Sequence, residues 1–207
     1  IIRSQNNGNG SGINLALKNC NTQYAMYSDI DVRFNKNFIQ KFFTFAKTLK
    51  NFSILIPNHG NIKSDKKIIE KYDGEAAIML FNLKKLKINF FFDENYFLYF
   101  EESDLLTRCK KNNLKCYLTT KLKIKHLRAK SIKENTEKID NLRNWHYMWS
   151  KFYFIKKNFN YYKALGDTFP TFIRSFIKLC FFYSINTNKF LIYKSRFLGL
   201  INSYLNN

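Results

Sequence analysis

Two groups of acidic residues could form a chemical site in a chain that is otherwise strongly basic, with a formal net charge of +20. The first is a pair, Asp29 and Asp31, which follows the short apolar run Tyr24–Tyr27. The second lies within Asn89–Arg108 and holds a third of the chain's 15 acids, namely Asp93, Glu94, Glu101, Glu102 and Asp104. Seven aromatic residues share that stretch. Because apolar surroundings raise the pKa of a carboxyl group, this segment is a candidate for acid–base chemistry.

The pair Asp29 and Asp31 is a candidate set of metal ligands. The run Tyr24–Tyr27 predicts a buried strand, and α/β sheets place their ligands just beyond the carboxyl ends of strands. Mg²⁺ typically takes one or two protein carboxylates together with substrate phosphates. The alternative is a solvated strand end at which an aspartate caps the next element.

His126 is a third candidate ligand, and it lies in the basic segment Lys121–Lys130. The alternation of KLKIKH predicts an edge strand with lysines on one face. His126 could bind a metal or a phosphate group there, or it could be a surface histidine in a basic loop. His59, in the polar segment Asn58–Lys67, is predicted to be a surface histidine.

Part of the acidic stretch also has a purely structural explanation. Asp104–Asn113 predicts a helix, and Glu101 and Glu102 lie at its N-terminus, where the helix dipole favours carboxylates. Asp104 and Arg108 are four residues apart and could form an ion pair. The residue pattern alone therefore fits either helix capping or a functional site.

The elements that position these residues alternate between strands and helices. The predicted strands are Ile1–Ser4, Tyr24–Tyr27, Ser53–Ile56, Ala76–Phe81 and Cys116–Thr119, and the predicted helices are Ile13–Lys18, Phe38–Leu49 and Asp104–Asn113. The glycine-rich segment Gln5–Gly12 is either a plain loop or a loop whose N–H groups cradle a phosphate. This alternation predicts an α/β fold with a mixed sheet.

The second half of the chain carries most of the positive charge, with a net +17 over residues 105–207 against +3 over residues 1–104. Such a charge favours an anionic partner. Residues 132–207 also interleave Lys with Trp, Tyr and Phe, and Phe169–Ile185 predicts an amphipathic helix on an anionic membrane surface rather than a span. The alternatives are helices that pack on the preceding domain, a membrane-surface scaffold without catalysis, or a nucleic-acid-binding module, which would leave the acidic stretch unexplained. The four cysteines show no CxxC spacing and predict free thiols in a reducing compartment.

Four segments, in this order, resemble motifs of the family 2 glycosyltransferases of the rhamnosyltransferase-like kind, which have the GT-A fold. The segments are Asn6-Asn7-Gly8-Asn9-Gly10 with Gly12-Ile13-Asn14, which resembles "N-x-G-x-G-x-x-x-N"; Tyr24–Val32, which resembles the strand before "D-x-D"; Asp93–Leu105 with Arg108, which resembles "F-D-E-x-F-F-x-Y-x-E-D-x-D-L-x-x-R"; and His126–Ser131, which resembles "H-x-x-G-x-S". The third motif is long and specific. The resemblance covers roughly residues 1–131, and it implies a mixed, mainly parallel GT-A-like sheet flanked by helices.

The resemblance also implies an inverting transfer of a sugar from a nucleotide-sugar donor to a hydroxyl group of a cell-surface glycan or lipid-linked acceptor. Asp29 and Asp31, with His126, would hold Mg²⁺ or Mn²⁺ against the diphosphate, and Glu102 would be the general base. The residues expected to bind or shape the substrate site are Asn7, Gly8, Gly10, Asn14, Glu101, Asp104 and Arg108. No nucleic-acid partner is expected. The expected location is cytoplasmic, peripheral at the inner face of the plasma membrane.

This sequence departs from the family pattern in three respects. Glu102 replaces the commoner Asp, and Ala129-Lys130 replace the small pair after the histidine. The first βαβ portion of the family fold, with its base-binding acid, is expected to precede Ile1. Residues 1–131 are therefore predicted to form a partial catalytic domain, and residues 132–207 a basic, aromatic helical tail.

Overall fold

The computed structural model describes residues 2–60, 62–86, 91–127 and 136–205, which form six helices and seven strands. The helices are α1 (Asn9–Lys18), α2 (Phe38–Thr48), α3 (Glu101–Lys111), α4 (Thr136–Asn158), α5 (Tyr161–Phe182) and α6 (Thr187–Leu205). The strands are β1 (Tyr24–Ser28), β2 (Val32–Arg33), β3 (Ile54–Asn58), β4 (Ile68–Glu70), β5 (Ile78–Asn82), β6 (Cys116–Lys123) and β7 (Lys125–His126).

The chain divides into two compact units, and each unit draws on separate segments. The first unit comprises Ile1–Asn6, Ser11–Asp93 and Glu102–Ile132, and the second comprises Asn7–Gly10, Glu94–Glu101 and Lys133–Asn207. The first unit therefore contains all the strands, and the second contains the three C-terminal helices.

The first unit is built on a five-stranded sheet with the order β1-β5-β3-β6-β4. The sheet is mixed, as predicted, since β3 and β6 pair in parallel and the other described neighbours pair antiparallel. The predicted majority of parallel pairs is not found among these strands, because β5 lies between β1 and β3 and runs against both. A separate ribbon of β2 and β7 is antiparallel.

Helices cover both faces of this sheet because its central strands are apolar on both sides. Along β3, Ile54 and Ile56 belong to a core with α1 and α3, whereas Leu55 belongs to a second core with α2. Every residue of β3 and β5 is buried. Runs of this kind are expected for strands that are covered on both faces, and the result is a three-layer α/β/α arrangement.

In the second unit, α4, α5 and α6 form a bundle. Its core joins Met148, Phe152 and Ile155 of α4 to Ala164 of α5 and Leu200 of α6. In α6, a Cβ added to Gly199 would lie 2.5 Å from the carbonyl oxygen of Trp145 in α4, so glycine allows these two helices to touch. None of the helices in the described ranges has both the length and the apolar character needed to cross a bilayer.

Several elements differ from the prediction, and long-range contacts account for two of the differences. Of the predicted strand Ile1–Ser4, residues Ile2–Ser4 form no strand, and Ile1 lies outside the described residues. β4 lies just after a segment predicted to be a polar loop, and it forms because Ile68, Ile69 and Glu70 pair with β6. Helix α1 also begins four residues before the predicted start, at Asn9, whose N–H donates to the Phe97 carbonyl at 3.1 Å.

Candidate metal centre

The turn that follows β1 holds the two aspartates of the candidate metal centre. The Asp29 N–H donates to the Ala77 carbonyl at 2.9 Å, which fixes the end of β1 against the chain before β5. Ile30 then turns its side chain to solvent and is 92% exposed. Asp31 leads into β2, and its carbonyl accepts from the Leu127 N–H at 3.0 Å. The backbone therefore anchors both aspartates independently of any ligand.

The ribbon of β2 and β7 brings His126 to the same place. Val32 and His126 are register partners, so the histidine lies beside the residue that follows Asp31. Its Nε2 is 3.0 Å from Asp31 Oδ1 and 3.6 Å from Asp29 Oδ2. One ligand atom from each of the three side chains lies within 4.8 Å of the others. The structure therefore brings together the three residues that the sequence nominates as metal ligands.

The electrostatics of this cluster favour a cation. Burial raises the pKa of the Asp29 carboxyl above its usual value, and the carboxylates of Asp31 and Glu75 act in the same direction. A hydrogen bond from the Tyr27 hydroxyl and the charge of His126 oppose the rise. Partly buried carboxylates this close together repel each other, and a positive ion bound between them would remove that penalty.

Two neighbours of the cluster were not predicted from the sequence. The Tyr27 hydroxyl donates a hydrogen bond to Asp29 Oδ1. The ring of His59, which was predicted to be a surface histidine, is half-buried and meets that of His126 edge to face, with 6.3 Å between ring centroids. The alternation of β1 offers a signal for Tyr27, since it lies two residues before Asp29. No local pattern identifies His59.

Several predicted site residues of the first unit hold the segment before α3 in place. The amide of Asn14 accepts from the Phe92 N–H at 2.9 Å and donates to the Phe92 carbonyl at 2.8 Å. The predicted ion pair between Asp104 and Arg108 is present at 2.8 Å, and Asp104 is completely buried. Arg108 also donates to the Phe91 carbonyl at 2.5 Å. These contacts give the three residues a structural role, and a role in substrate binding stays a prediction.

Glu102 is the second residue of α3 and is half-buried. The two residues before this helix, Tyr99 and Phe100, have φ values of 70° and 69°. This left-handed conformation is unfavourable for side chains of their size and recurs at functional sites. This turn ends directly before Glu101, the first residue of α3. The assignment of Glu102 as base remains a prediction.

Four of the predicted substrate-binding residues, Asn7, Gly8, Gly10 and Glu101, belong to the second unit. Gly8 has a φ of 101°, and a Cβ there would lie 2.6 Å from the Cα and carbonyl oxygen of Phe97. Glu101 is buried and accepts from the Asn9 side chain at 3.0 Å. Asn7 is exposed and Gly10 is buried in α1. Gly8 is therefore required by close backbone packing, whatever it contributes to a substrate. Of the predicted motif His126–Ser131, the part from Arg128 onward lies outside the described residues.

Comparisons with known proteins leave the family of this chain open. No protein-family model and no curated protein matches it. Among solved structures it is similar to the crystal structure of S. aureus TarS 1–349 in complex with UDP. That similarity extends over 100% of this chain and 74% of the other, at 11% sequence identity and a TM-score of 0.43. A likeness at this level carries no argument, so the functional assignment depends on the residues themselves.

Proposed function

We propose that this chain supplies catalytic machinery of an inverting, metal-dependent glycosyltransferase. The enzyme would move a sugar from a nucleotide-sugar donor to a hydroxyl group of a glycan or lipid-linked acceptor. The observation that carries the proposal is the convergence of Asp29 and Asp31 with His126, which lies far from them in the sequence, on one point at the end of β1. The resemblance of four ordered motifs to the family 2 glycosyltransferases supplies the reaction class.

The donor set fits a divalent cation such as Mg²⁺ or Mn²⁺. Its three ligand atoms are close enough to share one ion. Carboxylate oxygens suit both metals, and these side chains leave coordination positions for phosphate oxygens of a donor. When bound, the cation would stabilise the negative charge that develops on the departing diphosphate. Asp29 and Asp31 would hold it, and His126 would complete the protein ligands.

Glu102 is the proposed general base. An acceptor hydroxyl is a weak nucleophile until its proton is removed during attack. In this reaction the acceptor oxygen forms a bond to the anomeric carbon, the bond from that carbon to the diphosphate oxygen breaks, and the acceptor proton passes to the Glu102 carboxylate. The nucleoside diphosphate leaves with the electron pair. Attack on the face opposite the leaving group inverts the anomeric carbon.

The metal site can be tested without an activity assay. We expect the full chain to bind Mn²⁺, measured by the loss of the free-ion signal in electron paramagnetic resonance. Asp31→Asn should weaken this binding about tenfold or more, because a charged ligand is lost. Asp73→Asn is the matched control, since Asp73 is an exposed acid that pairs with Lys71. Equal Mn²⁺ affinity in the two variants would reject the site.

The role of Glu102 as the base can be tested with a panel of nucleotide-sugars and with glycan and lipid acceptors. The measurement is the rate at which nucleoside diphosphate is released. Glu102→Gln should lower turnover about 10²–10⁴-fold while Mn²⁺ binding stays unchanged. Glu137→Gln, at an exposed position of α4, should leave turnover unaltered. Near-normal turnover in Glu102→Gln would remove this residue from the mechanism, whereas loss of Mn²⁺ binding would indicate a folding defect.

A further inference from the structure

Helix α5 has one side committed to the helical bundle. Ala164, Thr168 and Ser175 are buried on this side, and Ala164 belongs to the core that α4, α5 and α6 share. The Thr168 hydroxyl donates to the Ala164 carbonyl at 2.7 Å and lies 3.0 Å from the Tyr204 hydroxyl of α6. These contacts hold α5 in the bundle along this side.

A second apolar side of α5 faces away from that core. It consists of four side chains spaced four residues apart, each between 41% and 61% exposed, which we call the α5 stripe: Phe169, Ile173, Ile177 and Phe181. Phe176 borders the stripe and contacts Phe197 of α6, with 5.5 Å between ring centroids. At 100° per residue these positions centre well over a quarter-turn from the buried side. Tyr183 and Ile185 extend the apolar surface past the helix end and are 74% and 65% exposed. Single exposed apolar residues are ordinary, but a continuous stripe over three turns indicates a partner.

The charge around the stripe is positive. Arg174 is exposed, and Lys178 lies at the same edge of the helix with its ammonium group 3.0 Å from the Tyr193 hydroxyl. Between residues 161 and 205 there are six Lys and Arg and one acid, Asp167. Over residues 136–205 the formal net charge is +8. The surface around the stripe therefore attracts anions and repels a second copy of the same chain.

We infer that the α5 stripe docks on an anionic lipid surface. Apolar side chains flanked by lysine and arginine enter the boundary between headgroups and acyl chains, while the basic groups meet acidic headgroups. The helix lies on the membrane rather than across it, consistent with the absence of a spanning helix among the described residues. This inference is independent of the proposed sugar transfer, since it involves no residue of the metal centre and no part of α3.

Co-sedimentation with vesicles provides the first test. The full chain should bind vesicles of 70% phosphatidylcholine and 30% phosphatidylserine and should bind pure phosphatidylcholine weakly. Raising NaCl from about 0.1 M to about 1 M should release it, because the screening length falls from about 10 Å to about 3 Å. The triple variant Ile173→Gln, Ile177→Gln, Phe181→Gln should lose at least about tenfold in affinity, since burial of one such side chain corresponds to about that factor.

A matched control changes equally exposed apolar residues outside the stripe. The variant Leu142→Gln, Phe159→Gln, Leu205→Gln removes three side chains that are 49%, 57% and 78% exposed. It should bind anionic vesicles like the unchanged protein. Both triple variants should retain the far-ultraviolet circular dichroism of the parent, because none of the six side chains is buried.

The cysteines offer a direct probe of the stripe. Cys180 is exposed and lies on the same side of α5 as the stripe, whereas Cys109 and Cys116 are buried. In a Cys20→Ser background, an environment-sensitive fluorophore on Cys180 should shift to the blue on anionic vesicles and be quenched by spin-labelled lipid. The same fluorophore on the exposed Cys20, in a Cys180→Ser background, should do neither.

Three results would overturn the inference. One is failure of the unchanged protein to bind anionic vesicles. Another is equal loss of binding in both triple variants. The third is a dimer, seen by sedimentation velocity, that only the stripe variant dissociates, since it would assign the stripe to contact between copies. Loss of Mn²⁺ binding or of turnover has no bearing on any of these outcomes.

Discussion

The Asp29 carboxylate shows how single residues set the charge of the candidate metal centre. Burial raises its pKa, and the Tyr27 hydroxyl and His126 partly offset that rise. Tyr27 orients the carboxylate from within β1, so it would act on a bound cation through Asp29 rather than by direct contact. Partners of metal ligands commonly matter almost as much as the ligands.

Tyr27→Phe should therefore weaken Mn²⁺ binding about 10–100-fold, the usual effect of removing a partner of a metal ligand. The measurement is the same electron paramagnetic resonance titration. Tyr24→Phe is the control from the same strand, because the Tyr24 hydroxyl only accepts from the Gln23 side chain. If both variants bind Mn²⁺ like the parent, the hydrogen bond to Asp29 has no part in ion binding.

His146 of α4 should make the stability of the second unit depend on pH. Burial lowers the pKa of His146, and its ring stacks on Phe97 with 4.6 Å between centroids. The unfolded chain, with an ordinary histidine pKa of about 6.5, then binds more protons than the folded chain as the pH falls through that value. The free energy of unfolding should therefore decrease on acidification below about 6.5, until the folded-state pKa is passed, and His146 should have no effect at higher pH.

His146→Phe should keep the ring contact and reduce the difference in stability between pH 7.5 and pH 5.0. Urea unfolding followed by tryptophan fluorescence measures this difference. Both tryptophans of the chain, Trp145 and Trp149, lie in α4, so the signal reports the unit that contains His146. If the difference in stability between pH 7.5 and pH 5.0 is the same in His146→Phe and in the parent, the pKa of His146 does not differ between the folded and unfolded states.

Among the elements, α1 is attached to the segment before α3 in part through the buried side chain of Asn14. Asn14→Ala leaves the buried N–H and carbonyl of Phe92 without the amide that pairs with both, and a lost buried partner costs about 1–3 kcal/mol. We expect urea unfolding, followed by circular dichroism, to show a loss in that range. Asn19→Ala should change stability by less than about 0.5 kcal/mol, because Asn19 is exposed and bonds only to Leu15 one turn away. Similar effects at both positions would contradict the role of Asn14.

Helices α4 and α6 depend on a glycine for their close contact. In most helix interiors Gly→Ala stabilises by about 0.5–1 kcal/mol, and Gly166→Ala in α5 should do so, since no atom lies within 4 Å of the added Cβ. Gly199→Ala should instead destabilise by about 1–3 kcal/mol, because the Cβ would meet the Trp145 carbonyl. Thermal unfolding followed by tryptophan fluorescence should give shifts of opposite sign, and shifts of the same sign would disprove the contact.

The apolar pattern predicted most elements: β3 and β5 are buried throughout, and α2 buries one side. β1, which was predicted to be buried, is half-buried except at Ala25. The strand beginning at Tyr24 and the helix from Phe38 are confirmed within one residue at each end. Failures occurred where a distant partner decides the structure. β4 exists through β6, and the early start of α1 depends on Asn9 contacts with Phe97 and Glu101. The local sequence contains no signal that identifies such distant partners.

For the whole molecule, the sequence predicted the members of the metal cluster, but it did not reveal the structural roles of other predicted site residues. Asp29 and Asp31 were nominated as a pair and His126 separately, and the fold brings the three together. Gly8 and Asn14 were nominated for substrate contact, yet each has a structural partner, Phe97 or Phe92, far along the chain. One motif contains residues that serve packing and residues that could serve chemistry, and the three-dimensional structure is needed to tell them apart.

The pairing of Val32 with His126 has a consequence for how the protein is assembled. This short ribbon joins an early segment to a late one, so most of the first unit has to be synthesised and collapsed before the three ligands can meet. Two register pairs give little stability against opening. A cation bound by both Asp31 and His126 would connect the two ends of that long loop and stabilise the paired ribbon. The fraction of molecules that hold an ion would then report the fraction in which β2 and β7 are paired.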